Sequence, residues 1–180
     1  MDPGHVGIVT TREQRFEGLY AAHAGRVGAY VRRRAPFSAV DDVIADTFLV
    51  AWRRLDDVPD PALPWLLGVA RRLLANQRRR DGRAAALHER LAHATRAPGA
   101  VDDLSELDSR AWIALGELSD ADRELLTLTA WEGLSAAEVA VVLDLRPNTV
   151  SVRLHRARRR FAAALAELDS ATTDELELRR

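Results

Sequence analysis

Apolar residues recur along this chain every three to four positions, and alternating runs rich in Val, Ile and Thr are missing, so its core has to be built from helices. Phe16, Leu19, Tyr20, His23, Val27, Tyr30 and Val31 fall on one stripe of a helix predicted over 12–34. Ala35-Pro36 ends it, because the residue before a proline is driven out of the helical region. A second helix is predicted to open on the capping pattern Ser38-Ala39-Val40-Asp41 and to bury Val40, Val43, Ile44, Thr47, Phe48, Ala51 and Trp52. Asp56 to Pro61 breaks it. A third helix then buries Leu63, Leu66, Leu67, Ala70, Leu73, Leu74 and Gln77 before dissolving into Arg78-Arg79-Arg80-Asp81-Gly82. These helices make a first domain, 1–82.

Residues 83–103 are rich in Ala, Arg and His, contain Pro98-Gly99 and keep only a weak apolar rhythm at Leu87 and Leu91, which reads as a linker, helical at its start. A second domain, 104–168, follows. Leu104, Leu107, Ala111, Trp112 and Leu115 make its first stripe. Ser119-Asp120-Ala121-Asp122 caps a helix carrying Leu125, Leu126, Leu128, Thr129 and Trp131 and stopping at Gly133. Ser135-Ala136-Ala137-Glu138 is a capping box for a short helix through Leu143. After Asp144-Leu145-Arg146-Pro147 the last helix starts near Asn148 and runs to about Leu168, with Val150, Leu154, Ala157, Phe161 and Leu165 inward. The tail, 169–180, is expected to be frayed. The fold class is all-α: two small helical domains joined by a flexible linker, the second containing a helix-turn-helix.

Whole-chain charge is nearly balanced, 26 basic against 27 acidic residues in 180 for a net −1. The balance hides a segregation. Every basic residue is Arg, whose planar fork of donors suits phosphate and guanine edges. Six Arg and one Asp between 71 and 83 give +5, and six Arg with no acid between 146 and 160 give +6. Against them, 41–60 carries −4 and 101–124 carries −6. Arg at a helix C-terminus also serves simply to offset the macrodipole. Two such runs, each ending the last helix of its own small domain, instead suggest two DNA-contacting modules with separate acidic faces. The absence of Cys excludes disulfide scaffolds, thiolate metal sites and Cys nucleophiles, and a reducing cytoplasm is the expected compartment. No segment has signal-peptide or membrane-span character, so no membrane insertion is expected.

The sharpest signal is the segment from Glu132 to Arg158. A capped short helix, a tight connection anchored by Leu145 and a second helix opening on polar residues make a helix-turn-helix. On that second helix Val150, Leu154, Ala157 and Phe161 face inward, while Asn148, Ser151, Val152, His155, Arg156 and Arg159 point away. Such a face can read base edges in a major groove and clamp flanking phosphates. In the first domain, Asp42, Asp46, Leu49 and Arg53 share the outward face of the second helix, and a Leu set among charges there suits docking as well as a solvated stripe. Trp65, Val69, Arg72, Asn76 and Arg79 share a stripe of the third. That stripe can stack an unstacked base beside Arg-held backbone, although a large aromatic also fits between helices.

Glu-Gly-Leu-Ser, Glu-Val-Ala, Asn-Thr-Val and Arg-Leu-His-Arg-Ala-Arg, at their spacings between Leu118 and Leu165, resemble the C-terminal DNA-binding region of bacterial sigma factors of the extracytoplasmic-function group. Asp41 to Arg53 resembles that family's core-polymerase-binding helix, and Pro64 to Arg80 its promoter-melting helix. The resemblance covers about Phe16 to Leu168. It implies a factor that binds core RNA polymerase, through its clamp and flap regions, and directs initiation at promoter DNA. Asp42, Asp46, Leu49 and Arg53 would then meet polymerase. Trp65, Arg71, Arg72, Asn76, Arg79 and Arg80 would meet the minus-10 element. Asn148, Thr149, Ser151, Val152, Arg153, His155, Arg156 and Arg159 would meet the minus-35 element. An anti-sigma factor is a further partner the resemblance allows. Arg72 stands where many relatives carry Asn, Asn76 where an acid is frequent, and Asn148 where Gly precedes Thr-Val. Asn tolerates the awkward turn geometry expected there.

Other chemistry finds little footing. His88 and His93 lie too far apart for adjacent helical turns and no carboxylates cluster with them, so no metal site is expected. No Gly-rich phosphate loop, nucleophile elbow or His-Glu zinc pattern occurs, so neither an enzyme nor a cofactor is expected. The rivals are a stand-alone helix-turn-helix regulator of the LuxR type, which gives the first domain no purpose, and a sigma-like protein that titrates a partner.

Overall fold

The computed structural model describes residues 11–88 and 106–178, with side chains over 11–80 and 110–170. The chain divides into two compact units, Met1–Ala92 and His93–Arg180. Seven α-helices and two short 3₁₀ turns, and no strand, form among the described residues.

The first unit holds α1 (Arg12–Arg32), α2 (Val40–Arg53) and α3 (Ala62–His88), each packed on the other two. Thr11 starts α1 through a reciprocal box: Gln14 N–H donates to its Oγ1 at 3.2 Å, and its own N–H donates to Gln14 Oε1 at 2.9 Å. Val27, Tyr30 and Val31 of α1 meet Val43, Phe48 and Ala51 of α2 and Leu66, Leu67 and Ala70 of α3 in the core. Each fully buried Leu or Val contributes about 1.5–3 kcal/mol relative to an exposed one. Thr47 is wholly buried among them, and its hydroxyl is satisfied by donating to Val43 O at 2.7 Å.

Two boundaries here differ from the sequence reading. Ser38 does not cap α2: Pro36 opens a 3₁₀ turn, Phe37–Ala39, in which Ala39 N–H donates to Pro36 O at 2.9 Å, so Ala39 becomes the N-cap with no side-chain bond. Nor does α3 dissolve at Arg78. It continues through Gly82 to His88, because the straight-chain arginines and Ala84-Ala85-Ala86 are strong helix formers that outweigh one glycine.

The second unit is α4 (Glu106–Gly116), α5 (Asp120–Ala130), α6 (Ala136–Leu143) and α7 (Pro147–Leu178), with α7 packed on the other three. Ser119 caps α5, its Oγ accepting from Asp122 N–H at 3.2 Å. Gly133 (φ +65°) provides the turn out of α5. The box predicted for α6 forms in both directions, with Ser135 N–H on Glu138 Oε2 at 2.8 Å and Glu138 N–H on Ser135 Oγ at 3.3 Å.

The α6–α7 connection is a Schellman turn. Asp144 adopts the left-handed conformation (φ 54°, ψ 50°), Leu145 N–H donates to Ala140 O at 2.9 Å and Asp144 N–H to Val141 O at 3.4 Å. The awkward geometry expected at Asn148 therefore belongs to Asp144. Pro147, with its preset φ and missing N–H, takes the first helical position and places Asn148 inside the first turn of α7.

The last helix also outruns its expected end at Leu168 and reaches Leu178, carried by the alanines and glutamates that follow Phe161. Leu91, His93, Pro98-Gly99 and Leu104 lie outside the described residues.

Candidate nucleic-acid interface

On α7 the two faces separate as the spacing predicts. Val150, Leu154 and Ala157 are buried; Asn148, Ser151, Val152, Arg153, His155, Arg156 and Arg159 are exposed, and Thr149 is half-buried. Ser151 donates its hydroxyl to Pro147 O at 3.2 Å, leaving the oxygen free to accept. Methyl, hydroxyl, imidazole and guanidinium groups thus stand on one accessible helix face. Arg158 and Arg160 are exposed too, and Arg160 lines one surface hollow with Arg156 and Arg159, but each is drawn toward a neighbouring helix. Arg158 turns to the α4–α5 side, and Arg160 Nη1 donates to Asp122 Oδ2 at 2.6 Å.

Arg71, Arg72, Asn76, Arg79 and Arg80 are exposed on α3, and Arg79 Nη2 donates to Asn76 Oδ1 at 2.6 Å, which orients the amide. Val69, placed on this stripe by spacing, is instead core at 5% exposure. Trp65 is half-buried, with the Arg54 guanidinium 5.9 Å from its ring centroid, so it is neither a fully packed core residue nor an open platform. Arg54 is also tied to Asp57 at 3.1 Å. Sequence spacing gave no hint of this arginine beside the indole, because the link crosses the α2–α3 connection.

Asp42, Asp46 and Arg53 are exposed on α2, and Leu49 beside them is 43% exposed. Tyr20, assigned by periodicity to the core, lies at the surface with its ring 4.7 Å from Phe48. Phe16, Tyr20, Phe48 and Trp52 form one edge-packed aromatic cluster, with the Arg12 guanidinium 5.1 Å from the Trp52 ring. At this end of α1 the rings pack edge-on against α2 at the rim of the core, which leaves Tyr20 partly in solvent.

The second unit also carries an apolar cleft of about 330 Å³, lined by Trp112, Leu115, Leu126, Trp131, Arg158 and Phe161 among others. Trp112 and Trp131 were expected in the core. They lie instead at its mouth, 39% and 40% exposed, with ring centroids 5.0 Å apart. Periodicity could not find them, since an aromatic at helical spacing reads as core whether its groove is filled or open.

Fold and faces together define a class: a two-unit helical protein whose second unit is a helix-turn-helix with an exposed polar and cationic face. The sigma-70 region 2 family matches residues 19–84, and the sigma-70 region 4 family residues 113–161. The RNA polymerase sigma factor CnrH of Cupriavidus metallidurans is 34% identical over 169 residues, covering 85% of this chain and 87% of that one. The ECF RNA polymerase sigma factor SigL of Mycobacterium tuberculosis is 29% identical over 168 residues, covering 90% and 95%. Among solved structures, CnrH in complex with the cytosolic domain of CnrY superposes with a TM-score of 0.58 at 30% identity, covering 84% of this chain and 88% of that one. RpoE in complex with the anti-sigma factor NepR from Bartonella quintana superposes at 0.65 with 22% identity, covering 84% and 96%. The chain belongs to the extracytoplasmic-function group of bacterial RNA polymerase sigma factors. Among the described residues no helix is long and apolar enough to cross a membrane.

Proposed function

We infer that the chain, as a member of this family, acts in transcription initiation. We propose that it docks on core RNA polymerase through Asp42, Asp46, Leu49 and Arg53 of α2, reads the minus-35 element as duplex with the outward face of α7, and holds the melted minus-10 strand along Trp65 and the arginines of α3. The observation that carries this reading is the exposed face from Asn148 to Arg159, where short polar groups that can reach base edges are flanked by unburied guanidiniums that suit phosphate. Arg72, Asn76 and Arg79 support the second contact, since two guanidiniums and an amide on the helix that carries an indole suit single-stranded backbone and base together. An anti-sigma factor is proposed as antagonist, in line with the complexes that CnrH and RpoE form.

Run-off transcription with purified core enzyme and genomic promoter fragments tests the reading. Discrete transcripts that require the chain are expected. Core enzyme that neither retains the chain in a pull-down nor initiates with it would leave a partner-titrating protein as the better account.

A further inference from the structure

Among the ion pairs of the described residues, the one between α5 and α7 has an unusually withdrawn carboxylate. Arg160 reaches Asp122 at 2.6 Å, and the Asp122 side chain is only 12% exposed. The carboxylates of the Arg54–Asp57 and Arg123–Asp120 pairs are 62% and 99% exposed. A carboxylate so far from water depends on its cation, whereas a surface pair depends little on either partner. Asp122 also sits in the first turn of α5, where the helix dipole favours a negative charge.

By spacing, Arg160 belongs with the DNA-facing set, being four residues after Arg156 and seven after Arg153 on one helical row. Its guanidinium nevertheless turns to α5. Nine residues on, Asp169 pairs with Arg110 of α4. Nine residues is about two and a half turns, so the two ties hold opposite flanks of α7. Between α7 and its neighbours the apolar seam of Val150, Leu154 and Ala157 is non-directional, and it fixes which face is inside better than it fixes tilt. A short ion pair with a withdrawn carboxylate is directional, even with the guanidinium side chain 58% exposed.

We propose that Asp122 and Arg160 are positioning residues: their pair sets the tilt at which the turns from Ser151 to Arg156 enter the major groove, and Arg160 itself does not meet phosphate. The inference rests on the reading of α7 as the recognition helix. Its mechanism is geometric, because hydrogen bonds to base edges fail once donors and acceptors part by more than a few tenths of an ångström, and α7 is rigid enough to carry a change of tilt at Arg160 back one to two turns.

The test uses the full chain loaded on core polymerase and two duplexes, one selected from a randomised pool by the wild-type holoenzyme and one of scrambled sequence, titrated over a range of salt. Asp122→Asn with Arg160→Gln removes both charges and leaves no buried ion uncompensated. This double variant is expected to keep the wild-type salt dependence while its selected-to-scrambled affinity ratio falls about tenfold, the equivalent of roughly one base contact. Asp122→Asn alone should lose the same selectivity and gain up to about 0.9 in salt slope, as the released guanidinium finds a phosphate. A double variant whose slope drops by about 0.9 with its ratio intact would make Arg160 a phosphate contact. A double variant that is unchanged in both would remove the pair from recognition altogether. Thermal melting of the double variant confirms that it is folded when the ratio is read. A wild-type holoenzyme that shows no preference for its selected duplex refutes the recognition reading itself, which separates that failure from the failure of the inference.

Discussion

Arg123 closes the first helical hairpin of the second unit, and its loss should be felt in that hairpin more than anywhere else. Its Nε donates to Leu115 O at 2.8 Å, and its Nη2 to Gly116 O at 2.9 Å and Leu118 O at 3.0 Å, so one guanidinium satisfies three carbonyls where α4 ends. Charge-assisted bonds of this kind contribute roughly 1.5 kcal/mol or more each when buried. The side chain is 36% exposed, so water recovers part of that, and we expect Arg123→Ala to cost about 2 kcal/mol in total. The accompanying pair with Asp120 adds little, since that carboxylate is 99% exposed. A cost of 2 kcal/mol corresponds to about thirtyfold faster exchange of the amide hydrogens of α4 and α5, measured on the full chain by mass spectrometry. Arg123→Lys keeps the charge but reaches fewer carbonyls and should fall between the two. Exchange in α4 and α5 that quickens less than about twofold in Arg123→Ala would show that these carbonyls are as well served by water.

Reversing Asp46 to Arg together with Leu49→Ala should weaken retention on immobilised core polymerase without shifting the melting temperature, since both side chains are exposed; an unshifted retention would remove this face from docking. Arg156→Ala should cost roughly 1–3 kcal/mol and relax preference at one base position, whereas Arg159→Ala should weaken all sequences alike and reduce the salt slope by about 0.9. Identical sequence-independent losses in both would refute the division between base reader and phosphate clamp. His23 titrates below the usual imidazole value, first because burial disfavours the cation and second because the Arg26 guanidinium repels it, and its Nδ1 is buried without a partner. Since the unfolded ring binds the proton more readily, stability should be complete above about pH 6.5, decline as pH falls below that, and level off once the folded ring is also protonated. His23→Gln should flatten that part of the melting-temperature profile between pH 7.5 and 5, and a profile unchanged by the substitution would acquit His23.

Much of the fold was legible because its determinants are local. The Ser135–Glu138 box, Ser119 as a cap and the inward row of Val150, Leu154 and Ala157 depend on residues within one or two turns of each other, and the sequence displays all of that spacing. What it does not display is the partner of a side chain on another helix. Arg160 carries the same periodic address as Arg156, and only the approach of α5 tells them apart. Trp112, Trp131 and Tyr20 sit on apolar stripes by count, yet Trp112 and Trp131 border an open cleft and Tyr20 lies at the rim of the α1–α2 packing. Helix ends failed where propensity and punctuation disagree, as at Gly82, where the surrounding Ala and Arg prevail over the glycine. The left-handed turn fell at Asp144 rather than Asn148 because Pro147, with its own φ preset for the first helical position, starts α7 one residue before Asn148.

The paired indoles at the mouth of the cleft give the second unit an optical signature of its own. Two tryptophans at a tilt of 45° and 5.0 Å apart are close enough for their electronic transitions to couple, and both remain partly in water. Anything that covers the cleft will dry them, moving their emission to shorter wavelength, while anything that parts α4 from α5 will uncouple them. Occupancy of the cleft can therefore be followed in the unlabelled chain by its own fluorescence and circular dichroism.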